Sequence, residues 1–148
     1  MKIKKVSNSA AGDIVKSGTW TPILACVGNE QAPTYTATIV SGKYRIIGDL
    51  VYIEFYIRGK ITALNGTNNY AIIKGLPYNT SDLHQGQQAL AKGILYELLD
   101  TAINVVFDVY NDGIRIQNTD GSVAAQYKVT TGSYFEIGGS GFYIANVN

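Results

Sequence analysis

The sequence predicts an all-β domain, and three observations support this prediction. Apolar and polar residues alternate along much of the chain with the two-residue period of a β-strand. Eleven tyrosines and many threonine, isoleucine and valine residues favour strands, whereas sixteen glycines favour turns. Short strands separated by closely spaced turn signals are typical of a sandwich or a barrel. The length of 148 residues fits one domain with a substantial core.

The clearest predicted strand runs from Leu50 to Arg58. Its expected inward positions are Val51, Ile53, Phe55 and Ile57. Its expected outward positions are Leu50, Tyr52, Glu54, Tyr56 and Arg58. Gly48 and Asp49 suit the central positions of a type II′ hairpin turn that joins this strand to residues 44–47. A half-apolar outward face is common at protein–protein interfaces, although scattered tyrosines also occur on solvated sheets.

Further strands are predicted before and after this hairpin. Their expected ranges are 20–25, 34–40, 70–74, 102–110, 114–116 and 123–129. Two closing strands are expected on either side of residues 138–141, and they are supplied by Phe135, Ile137, Phe142 and Ile144. Residues 87–99 also show the spacing of a helix, but their β-rich surroundings and Gly93 favour a strand.

Composition excludes several classes of function. A net charge of +1 gives no electrostatic basis for binding nucleic acid or an anionic membrane. Cys26 and His84 are the single residues of their types, so a disulfide, a thiolate metal site and a multi-histidine metal site are not expected. We therefore predict no metal and no cofactor. The N-terminus lacks the apolar segment of a signal peptide, and no apolar run is long enough to cross a membrane.

Catalytic signatures are also weak, and an enzyme is not predicted. No nucleotide-binding, zinc-protease or serine-hydrolase motif occurs. His84 lies in a polar loop without a nearby nucleophile motif, where it is expected to be solvated or to contact a ligand. Paired carboxylates about 5–9 Å apart would serve a glycosidase. The acidic residues on predicted strands are Glu54, Glu97, Asp108 and Glu136, and solvated or interface roles are the simpler interpretation.

Three motifs occur in a recognisable order. Ser17-Gly18-Thr19-Trp20-Thr21-Pro22 precedes Gly42-Lys43-Tyr44-Arg45-Ile46-Ile47-Gly48-Asp49-Leu50-Val51, and Gly75-Leu76-Pro77-Tyr78 follows. This arrangement resembles the C-terminal head domain of bacteriophage tail fibres and receptor-binding proteins. The resemblance covers about residues 17–78, and the remainder shares only the rhythm of strands. Within it, Trp20, Tyr44, Gly48 and Pro77 look structural.

The resemblance implies an antiparallel β-sandwich of the jelly-roll type that forms a homotrimer on a fibrous stalk. It also implies a virion tail tip that recognises a bacterial cell-surface saccharide and associates with other phage tail or baseplate proteins. Residues 1–17, which are poor in apolar side chains, would be the end of the stalk or a linker, and residues 18–148 the head. The protein would be made in the host cytoplasm. A structural virion or baseplate protein without glycan binding is the alternative, and a polysaccharide-degrading enzyme is a weaker one.

The expected saccharide site follows from counting strands away from the stalk. If the stalk enters at Trp20 and neighbouring strands are antiparallel, the distal loops are 26–33, 48–49, 76–87, 111–113 and 130–132. Tyrosine rings suit the apolar faces of sugars, and asparagine and aspartate side chains suit sugar hydroxyls. The predicted ligand-binding residues are Tyr78, Asn79, Asp82, His84, Tyr110, Asn111 and Asp112.

Overall fold

The structure, a computed structural model, describes residues 15–26, 32–65, 71–80, 88–97, 101–110, 113–117 and 130–146. These residues form strands and connecting turns without a helix, and each strand pair is antiparallel. The all-β prediction is therefore confirmed. The strands are β1 (Val15–Thr19), β2 (Ile23–Cys26), β3 (Thr34–Ile47), β4 (Leu50–Ala63), β5 (Ala71–Lys74), β6 (Gln88–Glu97), β7 (Thr101–Tyr110), β8 (Gly113–Gln117) and β9 (Tyr134–Ile144).

The strands pair in the continuous order β1-β3-β4-β9-β6-β7-β8-β5-β2. Buried side chains of β4 and β9 belong to one core cluster with those of β2, β5 and β8, although β4 pairs with none of these three strands. The order must therefore fold over into two antiparallel layers that face each other. We call β1-β3-β4-β9 the first layer and β6-β7-β8-β5-β2 the second layer. The result is sandwich-like, whereas the jelly-roll connectivity and the homotrimer stay predictions.

The alternation predicted for β4 is confirmed. Its inward side chains are at most 5% exposed, and they are Val51, Ile53, Phe55 and Ile57. Its outward side chains are exposed or half-buried. Burying an aliphatic side chain of this size stabilises the folded state by about 1.5–3 kcal/mol. The inner face of β4 is therefore a major part of the core.

The hairpin between β3 and β4 lies at the predicted position. Ile47 pairs with Leu50, so Gly48 and Asp49 form a two-residue turn. Gly48 has a φ of 64°, a left-handed conformation that glycine adopts without steric cost. We call this end of the first layer the hairpin end. The predicted break of β3 near residues 41–43 is wrong, because Ser41, Gly42 and Lys43 continue the ladder with β4.

The two predicted closing strands are a single strand, β9. Its glycines continue the ladder with β4 instead of turning the chain, since Gly138, Gly139 and Gly141 all have partners on β4. The two-residue period therefore continues through this segment. Phe135, Ile137 and Tyr143 face the core, whereas Phe142 is 51% exposed. The prediction of two separate closing strands is therefore wrong.

The chain changes layers between β1 and β2. β1 pairs with Lys43–Ile47 of β3, and the Trp20 N–H then donates to the Gly42 carbonyl. After Pro22, β2 pairs with β5 in the second layer. Trp20 fills the core beside Phe55, with a ring-centroid distance of 5.8 Å. The strand predicted at residues 20–25 is therefore the shorter β2. β1 extends across the predicted domain boundary at residue 17. Residues 1–14 lie outside the described residues.

The second layer agrees with the predicted strands where the structure describes it. Residues 88–97 form β6, as favoured over a helix, and pair with β7 and β9. Val109 of β7 is fully buried, as are Ile73 of β5 and Ile114 of β8. The predicted strand at 123–129 lies outside the described residues.

Candidate functional site

An open groove lies on the outer face of the first layer. Its volume is about 660 Å³, within the range of about 300–1,000 Å³ that is usual for ligand sites. Residues 17–19 of β1 form one side. The side chains that give it chemical character are Lys43, Arg45, Ile47, Tyr52, Glu54 and Phe142. We call this site the outer groove.

Two rings form the apolar part of the outer groove. Tyr52 of β4 and Phe142 of β9 are direct cross-strand partners, with ring centroids 5.0 Å apart and planes inclined by 51°. Phe142 is half exposed although it is a large apolar side chain. Nearby Ile47 and Leu50, which pair across the hairpin, are 58% and 37% exposed. The hairpin end of the outer face is therefore an apolar and aromatic surface.

A charged row crosses the strands beside these rings. Thr19, Lys43, Glu54 and Ser140 are successive cross-strand partners on β1, β3, β4 and β9. Lys43 and Glu54 form an ion pair with a nitrogen–oxygen distance of 3.7 Å. Because both side chains are well exposed, the pair contributes at most about 1 kcal/mol to stability. These groups are therefore available to hydrogen-bond a polar ligand.

A second polar cluster lies farther from the hairpin end on the same face. Glu136 accepts a hydrogen bond from the Tyr56 hydroxyl and pairs with Arg58 at 3.8 Å. Glu54 lies level with Ser140, four positions along β9 from Glu136. Each carboxylate has partners of its own, since Glu54 pairs with Lys43 and Glu136 contacts Tyr56 and Arg58. These contacts do not bring the two carboxylates together as a hydrolytic pair.

Three tyrosines pack beneath and beside the outer groove. The Tyr44 and Tyr78 rings meet edge to face at 5.7 Å, and the Tyr143 hydroxyl donates to the Tyr78 carbonyl at 2.9 Å. The hydrogen bond with the Tyr78 side chain is the main cause that raises the pKa of Tyr44. Burial raises the pKa of Tyr143 well above its ordinary value. Both phenols are therefore neutral packing groups around neutral pH.

Gly18 permits this packing. A Cβ at this position would lie 2.6 Å from the Tyr44 ring, which is too close for any real contact. Gly18 therefore lets the Tyr44 side chain cross β1 on its inner face. The structural role expected for Tyr44 follows from this arrangement.

The structure describes three of the seven predicted ligand-binding residues. Tyr78 is half-buried in the tyrosine cluster, and Asn79 is exposed while its carbonyl accepts from the Asn146 N–H. Tyr110 ends β7 opposite Gly113, and its side chain is not described. Asp82, His84, Asn111 and Asp112 lie outside the described residues. Strand directions bring the segments of Tyr78, Asn79 and Tyr110 to the hairpin end, and these residues stay a prediction.

The prediction that these loops share one distal end of the domain is wrong. Residues 48–49, 76–80 and 113 lie at the hairpin end, where β1 also begins, whereas β2 ends and β9 begins at the opposite end. The predicted break in β3 explains why residues 48–49, 76–80 and 113 lie at the other end from residue 26. It does not explain residues 130–132, which precede β9 at the same end as residue 26. If a stalk precedes β1, Tyr78 and Asn79 lie at the stalk end rather than at the tip.

Sequence reasoning missed Phe142, Arg45 and Lys43 as site residues. The two-residue period identifies Tyr52 and Glu54 as outward residues of β4, while an interface and a solvated sheet face both stay possible from the sequence. The glycines before Phe142 look like a turn, so the sequence alone separates Phe142 from the strand that carries Phe135 and Ile137. The predicted hairpin already sets Arg45 opposite Tyr52, whereas Lys43 lies outside the predicted strand 44–47 and pairs with Glu54 through the continuous β3 ladder.

The described part of the chain contains no group of three side chains suited to hold a metal ion. It also contains no long apolar helix of the kind that crosses a membrane.

Comparisons with protein-family models, with curated proteins and with solved structures find no match to this chain.

Proposed function

We propose that this chain is the non-catalytic receptor-binding head of a bacteriophage tail fibre and recognises a bacterial cell-surface saccharide. The single observation that carries the proposal is the outer groove, where an exposed ring pair lies beside charged and hydroxyl side chains. Aromatic rings pack on the apolar faces of sugars, and the polar groups meet sugar hydroxyls. The order of the three motifs within residues 17–78 supports the proposal of a phage tail protein. The sandwich-like fold is compatible with a jelly roll.

The proposed assembly is a homotrimer at the virion tail tip, attached to other tail or baseplate proteins. One small groove supports only weak binding, and three copies on one tip raise the effective concentration of sites. Light scattering of the purified chain tests the assembly. We expect three times the 16.0 kDa chain mass, and a monomer would contradict the homotrimer for the chain as given.

The binding proposal is tested with intact host cells. Phe142→Ala removes half of the ring pair, and we expect it to reduce cell adsorption about tenfold or more. Lys60→Ala is a matched control on the same face, because Lys60 lies over Tyr134 and outside the outer groove. Equal adsorption of wild type, variant and control would contradict a saccharide site in this groove.

A structural virion or baseplate protein without glycan binding is the second candidate. The observation that favours it is the exposed aliphatic pair Ile47 and Leu50 beside the rings, because such a surface suits contact with another protein. Absence of host-cell binding, together with capture of a purified tail or baseplate protein that is lost in Ile47→Ser, would support this candidate. Release of reducing sugar ends from host polysaccharide would instead identify an enzyme.

A further inference from the structure

Arg45 differs from the other cations on the outer face of β3 and β4. Lys43 pairs with Glu54, Arg58 pairs with Glu136, and Lys60 lies over the Tyr134 ring at 5.2 Å. Arg45 is exposed and forms no ion pair with a carboxylate in the described ranges. Its guanidinium is therefore a cation that the fold itself leaves available.

Arg45 also lies beside the ring pair. It is the direct cross-strand partner of Tyr52, which is in turn the partner of Phe142. Side chains that are directly opposite have Cβ atoms about 4.5–5.5 Å apart. A sugar that packs on the rings would therefore hold a substituent within reach of the guanidinium.

The chemistry of this arrangement favours an anion. A guanidinium offers a planar fork of N–H donors that matches the oxygens of a carboxylate or a phosphate. Among the groove side chains, Lys43 and Arg45 are positive and Glu54 is negative, which leaves a net positive charge. The Lys43–Glu54 pair further directs an incoming anion to Arg45, since Lys43 already has a counter-ion.

We propose that the outer groove selects acidic saccharides, with Arg45 binding the carboxylate or phosphate of a sugar whose ring packs on Tyr52 and Phe142. This inference rests on the proposed function, and it names the substrate class of that site. The two anion sources share the same recognition chemistry, so the experiment has a separate arm for each.

The experiment measures binding of the full chain to an array of neutral, uronic-acid-bearing and phosphate-bearing glycans, followed by calorimetry on the strongest binder. The variants are Arg45→Gln and Arg45→Lys, and Lys60→Gln is the control that removes one charge outside the groove. We expect wild type to prefer acidic glycans and Arg45→Gln to weaken their binding about tenfold or more. Arg45→Lys should retain part of the affinity, and Lys60→Gln should match wild type. Circular dichroism checks that each variant is folded.

Other results would overturn the inference in distinguishable ways. A preference for neutral glycans, with no effect of Arg45→Gln, would reject the acidic substrate class and leave saccharide binding in place. Acidic glycans that bind wild type and Arg45→Gln equally would reject the role of Arg45. Failure of every glycan to bind would contradict both this inference and the proposed function.

Discussion

The two faces of the first layer differ, although they are built from alternate residues of the same strands. The inner face of β4 carries aliphatic and phenylalanine side chains that are almost fully buried. The outer face carries tyrosines, charges and the exposed ring of Phe142. Because the inner face excludes water, it supplies stability. The exposed side chains of the outer face contribute little to stability, and we interpret them as the binding surface.

The largest expected effect is the loss of a core side chain. Ile53→Ala removes a fully buried residue, and we expect the free energy of unfolding to fall by about 2–5 kcal/mol. Glu54→Ala changes the next residue, on the outer face, and should alter stability by at most about 1 kcal/mol. Chemical denaturation of both variants measures the difference. Similar losses would mean that the two faces do not differ as described.

Gly42 is buried on β3 against Trp20, and its replacement should cost less than the loss of a large core side chain. A Cβ on Gly42 would lie 2.6 Å from the Trp20 carbonyl oxygen and 2.8 Å from the indole nitrogen. We expect Gly42→Ala to lower the free energy of unfolding by about 1–3 kcal/mol, because backbone or core packing must move. The measurement is a denaturation curve.

Gly48→Ala provides the comparison for Gly42. No atom lies within 4 Å of a Cβ at Gly48, so its cost comes only from the left-handed φ of 64°. We expect a loss of about 1 kcal/mol. A larger loss for Gly48→Ala than for Gly42→Ala would contradict the close approach of Trp20 to β3.

Phe142 and Phe135 both lie on β9, but they face opposite sides of the first layer. Phe135 is 8% exposed and meets Tyr35 edge to face, so Phe135→Ala should cost about 3–5 kcal/mol of stability. Phe142→Ala should leave stability within about 1 kcal/mol of wild type, while glycan binding weakens. Thermal unfolding and calorimetry separate the two effects. Loss of stability in Phe142→Ala as large as in Phe135→Ala would place this ring in the core.

The smallest expected effect is a dependence of stability on alkaline pH. The pKa of Tyr143 is raised in the folded state, so the unfolded chain loses this proton first, from about pH 10. The stability that the neutral phenol contributes is therefore fully present below pH 10 and is lost as the pH rises above it. Denaturation midpoints between pH 8 and pH 11 should fall less in Tyr143→Phe than in wild type. An equal fall of the denaturation midpoint with pH in both proteins would contradict the assignment of this pH dependence to Tyr143.

The sequence is sufficient to predict a strand and its buried face where the period of two residues is uninterrupted. Val51 to Ile57 could be assigned to one face because every second residue is large and apolar, and Gly48 marked the hairpin. Gly42 and the glycines of residues 138–141 predict turns, because glycine is typical of turns. In the structure, Gly42 permits the close approach of Trp20, and the glycines of β9 continue the ladder with β4. The outer groove could not be predicted, since it depends on the pairing of β9 with β4, which places Phe142 beside Tyr52.

The most direct test of the account is a nuclear magnetic resonance titration of the labelled chain with saccharide from the host cell surface. We expect shifts concentrated at Lys43, Arg45, Tyr52, Glu54 and Phe142, with the inner residues of β4 nearly unchanged. Shifts confined to Tyr78, Asn79 and residues 110–112, or no shifts at saturating saccharide, would contradict the assignment of binding to the outer face.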